Sequence, residues 1–166
     1  MFDEAKKSRL MALDTQDEGI PDASSSTQDS YRVAVVDDDP IDFQMLEVLL
    51  SRTDLVLSCL DHFACVDDLL ADGKDAYDVI IMDRFMPTSG LAETRISEVR
   101  ARFGNCGVVM NTGHVTHSLR SSAAHQGAMA VIEKGKVDAT AFALLIRTAA
   151  VLGPSIHMPG ELDDCA

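Results

Sequence analysis

"YRVAVVDDDP", residues Tyr31 to Pro40, runs from an almost wholly apolar segment straight into three acidic side chains and then a proline. Val33 to Val36 show no polar alternation, which suits a strand covered on both faces. Like charges as close as Asp37, Asp38 and Asp39 repel by roughly 4 kcal/mol per pair at an effective dielectric near 20. A cation is therefore expected where this strand ends. Asp39 with Pro40 also reads as the N-cap and first turn of a helix, and Ile41, Met45, Val48 and Leu49 then recur at helical spacing on one face.

Outward from this strand the periodicity keeps switching. Apolar strands are predicted at Arg32 to Val36, Leu55 to Leu60, Tyr77 to Met82, Gly107 to Asn111 and Ala128 to Ile132. Helices are predicted between and after them: one from Pro40, then about 65–71, 91–102, 115–125 and 138–152. In the last, Phe142, Leu145, Ile146 and Ala149 form the buried stripe, with Asp138 or Thr140 near the cap. Five strands alternating with five helices predict an α/β fold, a doubly wound five-stranded parallel sheet with helices on both faces. In that architecture ligands sit in the crevice beyond the carboxyl ends of the strands.

Asp37 and Asp38 follow the first strand, Asp83 the third in IIMDRFMP, Thr112 the fourth in VVMNTGH, and Lys134 the fifth in VIEKGK. Three carboxylates, a hydroxyl and an amine are thus expected at one sheet edge. Asp61, His62 and Phe63 after the second strand fit no role in this set and read as loop. Asp37, Asp38 and Asp83 are hard oxygen ligands suited to Mg²⁺, which takes a few carboxylates and keeps several waters. Asp83, held at the mouth of the sheet, is placed to attack a phosphoryl group. Lys134 and Thr112 would hold phosphoryl oxygens, and Gly113 leaves room for the group to enter. The plainer reading of the three aspartates is helix caps and turns at strand ends.

In this order VVDDDP, IIMDRFMP, NTG and EK resemble the receiver domain of bacterial two-component response regulators, in the single-domain form of the chemotaxis regulators. Gaps of 45, 29 and 22 residues separate Asp38, Asp83, Thr112 and Lys134, as in that family, and the resemblance covers about 31–152. It implies the flavodoxin-like receiver fold with strand order 2-1-3-4-5. The chain then divides into an N-terminal extension at 1–30, the receiver domain at 31–152 and a tail at 153–166. The resemblance also implies Mg²⁺-dependent phosphorylation of Asp83 from a phosphohistidine of a sensor histidine kinase or a histidine phosphotransfer protein. Asp38 would be a direct metal ligand, Asp37 a second acting partly through water, and the backbone carbonyl of Phe85 a third. Thr112 would be the switch hydroxyl, with Gly113 beside it, and Lys134 the phosphate-binding lysine. A downstream protein would dock on the fourth helix, fifth strand and fifth helix. Such a domain is no enzyme in its own right, beyond self-catalysed phosphoryl transfer and slow autodephosphorylation.

Two positions depart from the family pattern. The proline that usually follows the lysine through a cis bond is Gly135 here, and the usually aromatic position three before the lysine is Val131, a weakened switch position. Phe85 and His114, two residues after Asp83 and Thr112, stand beside the expected path of hydrolytic water. His114, His117 and His125 read as solvent-facing, and Met82, Met86 and Met110 as core.

With 46% hydrophobic and 25% charged residues the chain is composed like a globular protein, and 166 residues suit one domain plus tails without an output domain. A net charge of −13 argues against binding nucleic acid or an anionic membrane. Cys59, Cys65, Cys106 and Cys165 form no CxxC pair, and no apolar signal core opens the chain, so a reducing cytoplasm is expected. Residues 1–30 hold seven acidic residues and the stretch DASSSTQDS, too polar to order by themselves. Phe2, Leu10 and Leu13 would be one side of a short helix if that segment docks. Two other functions fit the aspartates. A degenerate receiver would bind protein without phosphorylation. A haloacid-dehalogenase-type phosphatase would want Asp-x-Asp-x-Thr, where this chain has Asp37, Asp38, Asp39, Pro40 and Ile41.

Overall fold

The computed structural model describes residues 30–153 other than 75, 87–89 and 105. The expectations for residues 1–29 and 154–166 lie outside the described residues. Strand β1 (Ser30–Val36) is the centre of the sheet's first half, with β2 (Val56–Phe63) on one edge and β3 (Val79–Met82) on the other. β4 (Phe85–Met86) and β5 (Gly90–Leu91) form a separate antiparallel pair, while β6 (Gly107–Thr112) and β7 (Ala130–Glu133) complete the main sheet. Its order is β2-β1-β3-β6-β7, all parallel, as the doubly wound reading expects.

Residues of β1, β3 and β6 alternate between two cores, because successive strand side chains point to opposite faces. Ala34, Val36, Ile80, Met82, Val108 and Met110 face α2 (Val66–Ala71), α3 (Ile96–Phe103) and α4 (His117–His125). Val33, Val35, Val79, Ile81 and Val109 face α1 (Pro40–Leu50) and α5 (Ala139–Leu152). Each fully buried Val or Ile contributes roughly 1.5–3 kcal/mol relative to exposure. Met82, Met86 and Met110 are core residues, as read from the sequence, and His114, His117 and His125 are exposed.

The caps form where the sequence places them. The Asp39 carboxylate accepts from Ile41 N–H at 2.8 Å and the Asp138 carboxylate from Ala141 N–H at 2.9 Å. At the far end of the sheet α5 lies directly on β6. A Cβ on Gly107 would stand 2.3 Å from the Ala149 carbonyl oxygen, and one on Gly153 2.3 Å from the Gly107 Cα. The buried Arg100 guanidinium donates to the Gly127 and Gly153 carbonyls at 3.3 and 3.2 Å, fastening α3 to that junction.

Several sequence expectations are corrected. β2 continues through Asp61, His62 and Phe63 instead of giving way to loop, since all three pair with β1. The third helix is split into a 3-10 turn at Ala92–Thr94 and α3. β3 starts at Val79, two residues after the fully buried Tyr77. On α1 the face carrying Ile41, Met45 and Val48 looks outward, with those residues 64%, 62% and 51% exposed, and Leu46 and Leu50 fill the core. No helix among the described residues is long and apolar enough to cross a membrane.

Candidate functional site

Strand register builds the site. Asp83 N–H donates to the Val36 carbonyl at 2.8 Å, which fixes the end of β3 beside the end of β1. Lys134 N–H donates to the Thr112 carbonyl at 2.9 Å, which does the same for β7 and β6. The side chains that follow these strands therefore meet at one edge. One carboxylate oxygen from each of Asp37, Asp38 and Asp83 lies within 4.8 Å of the other two, with Asp37 buried, Asp38 exposed and Asp83 between. Magnesium binds oxygen at about 2.0–2.1 Å, so opposite ligands stand near 4.2 Å apart and this triad fits such an ion with a small adjustment.

Lys134 faces the triad. Its Nζ donates to Asp37 Oδ2 at 2.7 Å and to Asp42 Oδ2 at 2.7 Å, and stands 3.5 Å from Asp83 Oδ1. Burial pulls its pKa down, but the bonds to Asp37 and Asp42 outweigh this and hold it above the ordinary lysine value. Burial pushes the Asp83 carboxyl up from its ordinary range; Lys134 opposes the rise and the charge of Asp37 adds to it. Thr112 Oγ1 is buried without a hydrogen-bond partner. An orphaned hydroxyl at the end of β6 is poised to donate to an incoming oxygen, because leaving it unpaired costs about 1–3 kcal/mol.

Other predicted positions are less directly engaged. Gly113 is exposed with open space where a Cβ would stand. Phe85 is 58% exposed, its ring covered by the Arg84 guanidinium at 4.7 Å. Val131 is packed in the core under α4, and its carbonyl accepts from Arg120 Nη1 at 2.9 Å. Gly135 takes φ +73° and no cis peptide occurs among the described residues, so glycine turns this loop where the family pattern has proline.

Two further residues serve the site: Asp42, which the sequence does not single out, and His62, which reads there as loop. Asp42, one turn into α1, is a second strong partner of Lys134. His62, stacked on Phe43 with ring centroids 4.3 Å apart, uses Nε2–H to bond the Asp37 carbonyl at 2.7 Å and so braces the loop that carries the acids. Helical spacing from the Asp39 cap places Asp42 in the first turn, but nothing in the sequence points Lys134 at it.

No curated protein matches the chain. Among solved structures it is similar to the response regulator DrrB of Thermotoga maritima, with TM-score 0.60 and 17% identity over 72% of this chain and 52% of that one, so it spans about half of DrrB. It is similar to the chemotaxis protein CheY4 of Vibrio cholerae, with TM-score 0.61 and 19% identity over 73% of this chain and 99% of that one. A third is the receiver domain of a sensor histidine kinase from Pseudomonas aeruginosa, with TM-score 0.60 and 15% identity over 74% of this chain and 99% of that one; that structure has magnesium coordinated in its active-site cleft. The family model for the response regulator receiver domain matches residues 33–144. With that match over two thirds of its length, and with the five-stranded sheet and the acidic edge in place, the chain belongs to the response regulator receiver domains of two-component signalling.

Proposed function

We propose that this receiver accepts a phosphoryl group on Asp83 from the phosphohistidine of a sensor kinase or phosphotransfer protein, and passes the state on by protein contact in the cytoplasm. The observation that carries the reading is the triad of Asp37, Asp38 and Asp83 within 4.8 Å beside the buried, unpartnered Thr112 hydroxyl. Asp37, Asp38, Asp83 and the Phe85 carbonyl would hold Mg²⁺, which when bound neutralises charge on the phosphoryl oxygens. An Asp83 carboxylate oxygen forms the new O–P bond as the donor's P–N bond breaks, its electron pair returning to the imidazole nitrogen. Thr112 donates to one phosphoryl oxygen and Lys134 to another. The chain is its own catalyst for acceptance and slow hydrolysis, with no further substrate.

The donor has to reach the carboxyl edge of the sheet. Beside that edge the outward face of α1 offers Ile41, Met45 and Val48 as an apolar landing for a donor helix. The partner that reads the state is assigned to α4, β7 and α5, where Leu144, Val151 and Leu152 are exposed. Intact mass measured after incubation with acetyl phosphate and Mg²⁺ tests the reading. It predicts one added phosphoryl group in the wild type and none in Asp83→Ala. An unmodified wild type would instead favour a phosphorylation-independent binding module, and steady phosphate release from unrelated monoesters a phosphatase.

A further inference from the structure

Asp37 Oδ1 accepts the Asp39 N–H at 3.0 Å and Oδ2 accepts from Lys134 Nζ at 2.7 Å, so a divalent cation arriving at Asp37 meets the ammonium already seated on its carboxylate. Metal and ammonium compete for the Asp37 carboxylate. When a divalent cation takes the Asp37 carboxylate the ammonium has to give way, and Asp83, itself in the triad, stands farther from Nζ at 3.5 Å. A lysine side chain only 20% exposed, left without an anion, would bear a desolvated charge. Asp42 removes this difficulty. It lies outside the triad, it is 35% exposed, and its Oδ2 is as close to Nζ as Asp37 is, at 2.7 Å. Asp42 and Lys134 both line a cleft of about 200 Å³ with Leu46, Ile132 and Phe142, which gives the ammonium room to shift.

Resting on the metal-bound site of the proposed function, we propose that Asp42 is a parking partner for Lys134 that releases Asp37 to a divalent cation. Asp42 is thus a positioning residue: it touches neither metal nor phosphoryl group and acts through the lysine. With Asp42 neutralised, Lys134 leans on Asp37 and magnesium has to displace it without compensation.

Calorimetric titration of the full chain with Mg²⁺ alone tests this. Asp42→Asn is expected to weaken magnesium binding by roughly three- to ten-fold, whereas Asp42→Glu, which keeps an anion in reach, stays near the wild type. In a Lys134→Met background Asp42→Asn is expected to change the affinity by less than about two-fold, because the competitor is gone. Thermal melts of each variant verify folding. Unchanged or tighter binding in Asp42→Asn overturns the proposal. So does an equal weakening in the Lys134→Met background, which would make Asp42 a remote negative charge and nothing more. A wild type that binds no magnesium overturns the metal site of the proposed function and this inference together, whereas normal wild-type binding with an indifferent Asp42 overturns this inference alone.

Discussion

Asp83 holds its charge in an environment that disfavours it. Burial comes first and the neighbouring Asp37 carboxylate adds to it, with Lys134 giving partial relief, so the folded protein binds this proton more tightly than the unfolded chain does. A carboxyl with a raised folded pKa lowers stability as pH rises from the unfolded value of 3.8 through the folded one, and the loss persists above. In the presence of a chelator Asp83→Asn is therefore expected to melt a few degrees above the wild type at pH 7, the gap closing toward pH 3.5; an equal or lower melting temperature at pH 7 contradicts the account. Gly135 makes a second prediction at this scale. With φ at +73° and open space around it, an added methyl meets no atom and only backbone strain, so Gly135→Ala should lower stability by about 1 kcal/mol in chemical denaturation. Asp83, Asp37, Asp38, Thr112 and Lys134 were legible because each ends or follows a strand, where chain order and sheet order together fix the meeting point. Asp42 and His62 were not, since their roles depend on the depth at which α1 sits against β2 and β7.

At the scale of elements, apolar runs gave the parallel strands correctly because β1, β3 and β6 are covered on both faces and carry no polar alternation. β2 is an edge strand, and its end, Asp61-His62-Phe63, carries polar groups that resemble loop. Those groups are satisfied sideways instead: Asp61 pairs with Lys74 and accepts from Tyr77 Oη at 3.0 Å, while His62 braces Asp37. For α1 the pattern was visible but its orientation was not. Apolar residues cover more of this helix than one packed face can use, so spacing alone could not say which side goes inward. The difference is measurable, because Val48→Ser at the exposed face should change stability by less than about 0.5 kcal/mol, and Leu46→Ala in the core should cost about 2–4 kcal/mol. Comparable losses would mean that α1 is rotated. The junction of β6 and α5 permits no such latitude: Gly107→Ala would drive a methyl into the Ala149 carbonyl and should cost about 3 kcal/mol in the same assay.

Across the whole molecule, a sheet of order β2-β1-β3-β6-β7 concentrates acids at its carboxyl edge within a chain of net charge −13. Repulsion there is countered by Lys134, shared among Asp37, Asp42 and Asp83, and the proposed function has a divalent cation and then a phosphoryl group enter at this edge. The most direct measurement is borohydride reduction of the chain after exposure to acetyl phosphate, followed by peptide sequencing to locate the trapped acyl phosphate. Homoserine is expected at position 83 alone, and only when Mg²⁺ is present. Homoserine at position 37 or 38, or the same yield at position 83 in a chelator, would contradict it.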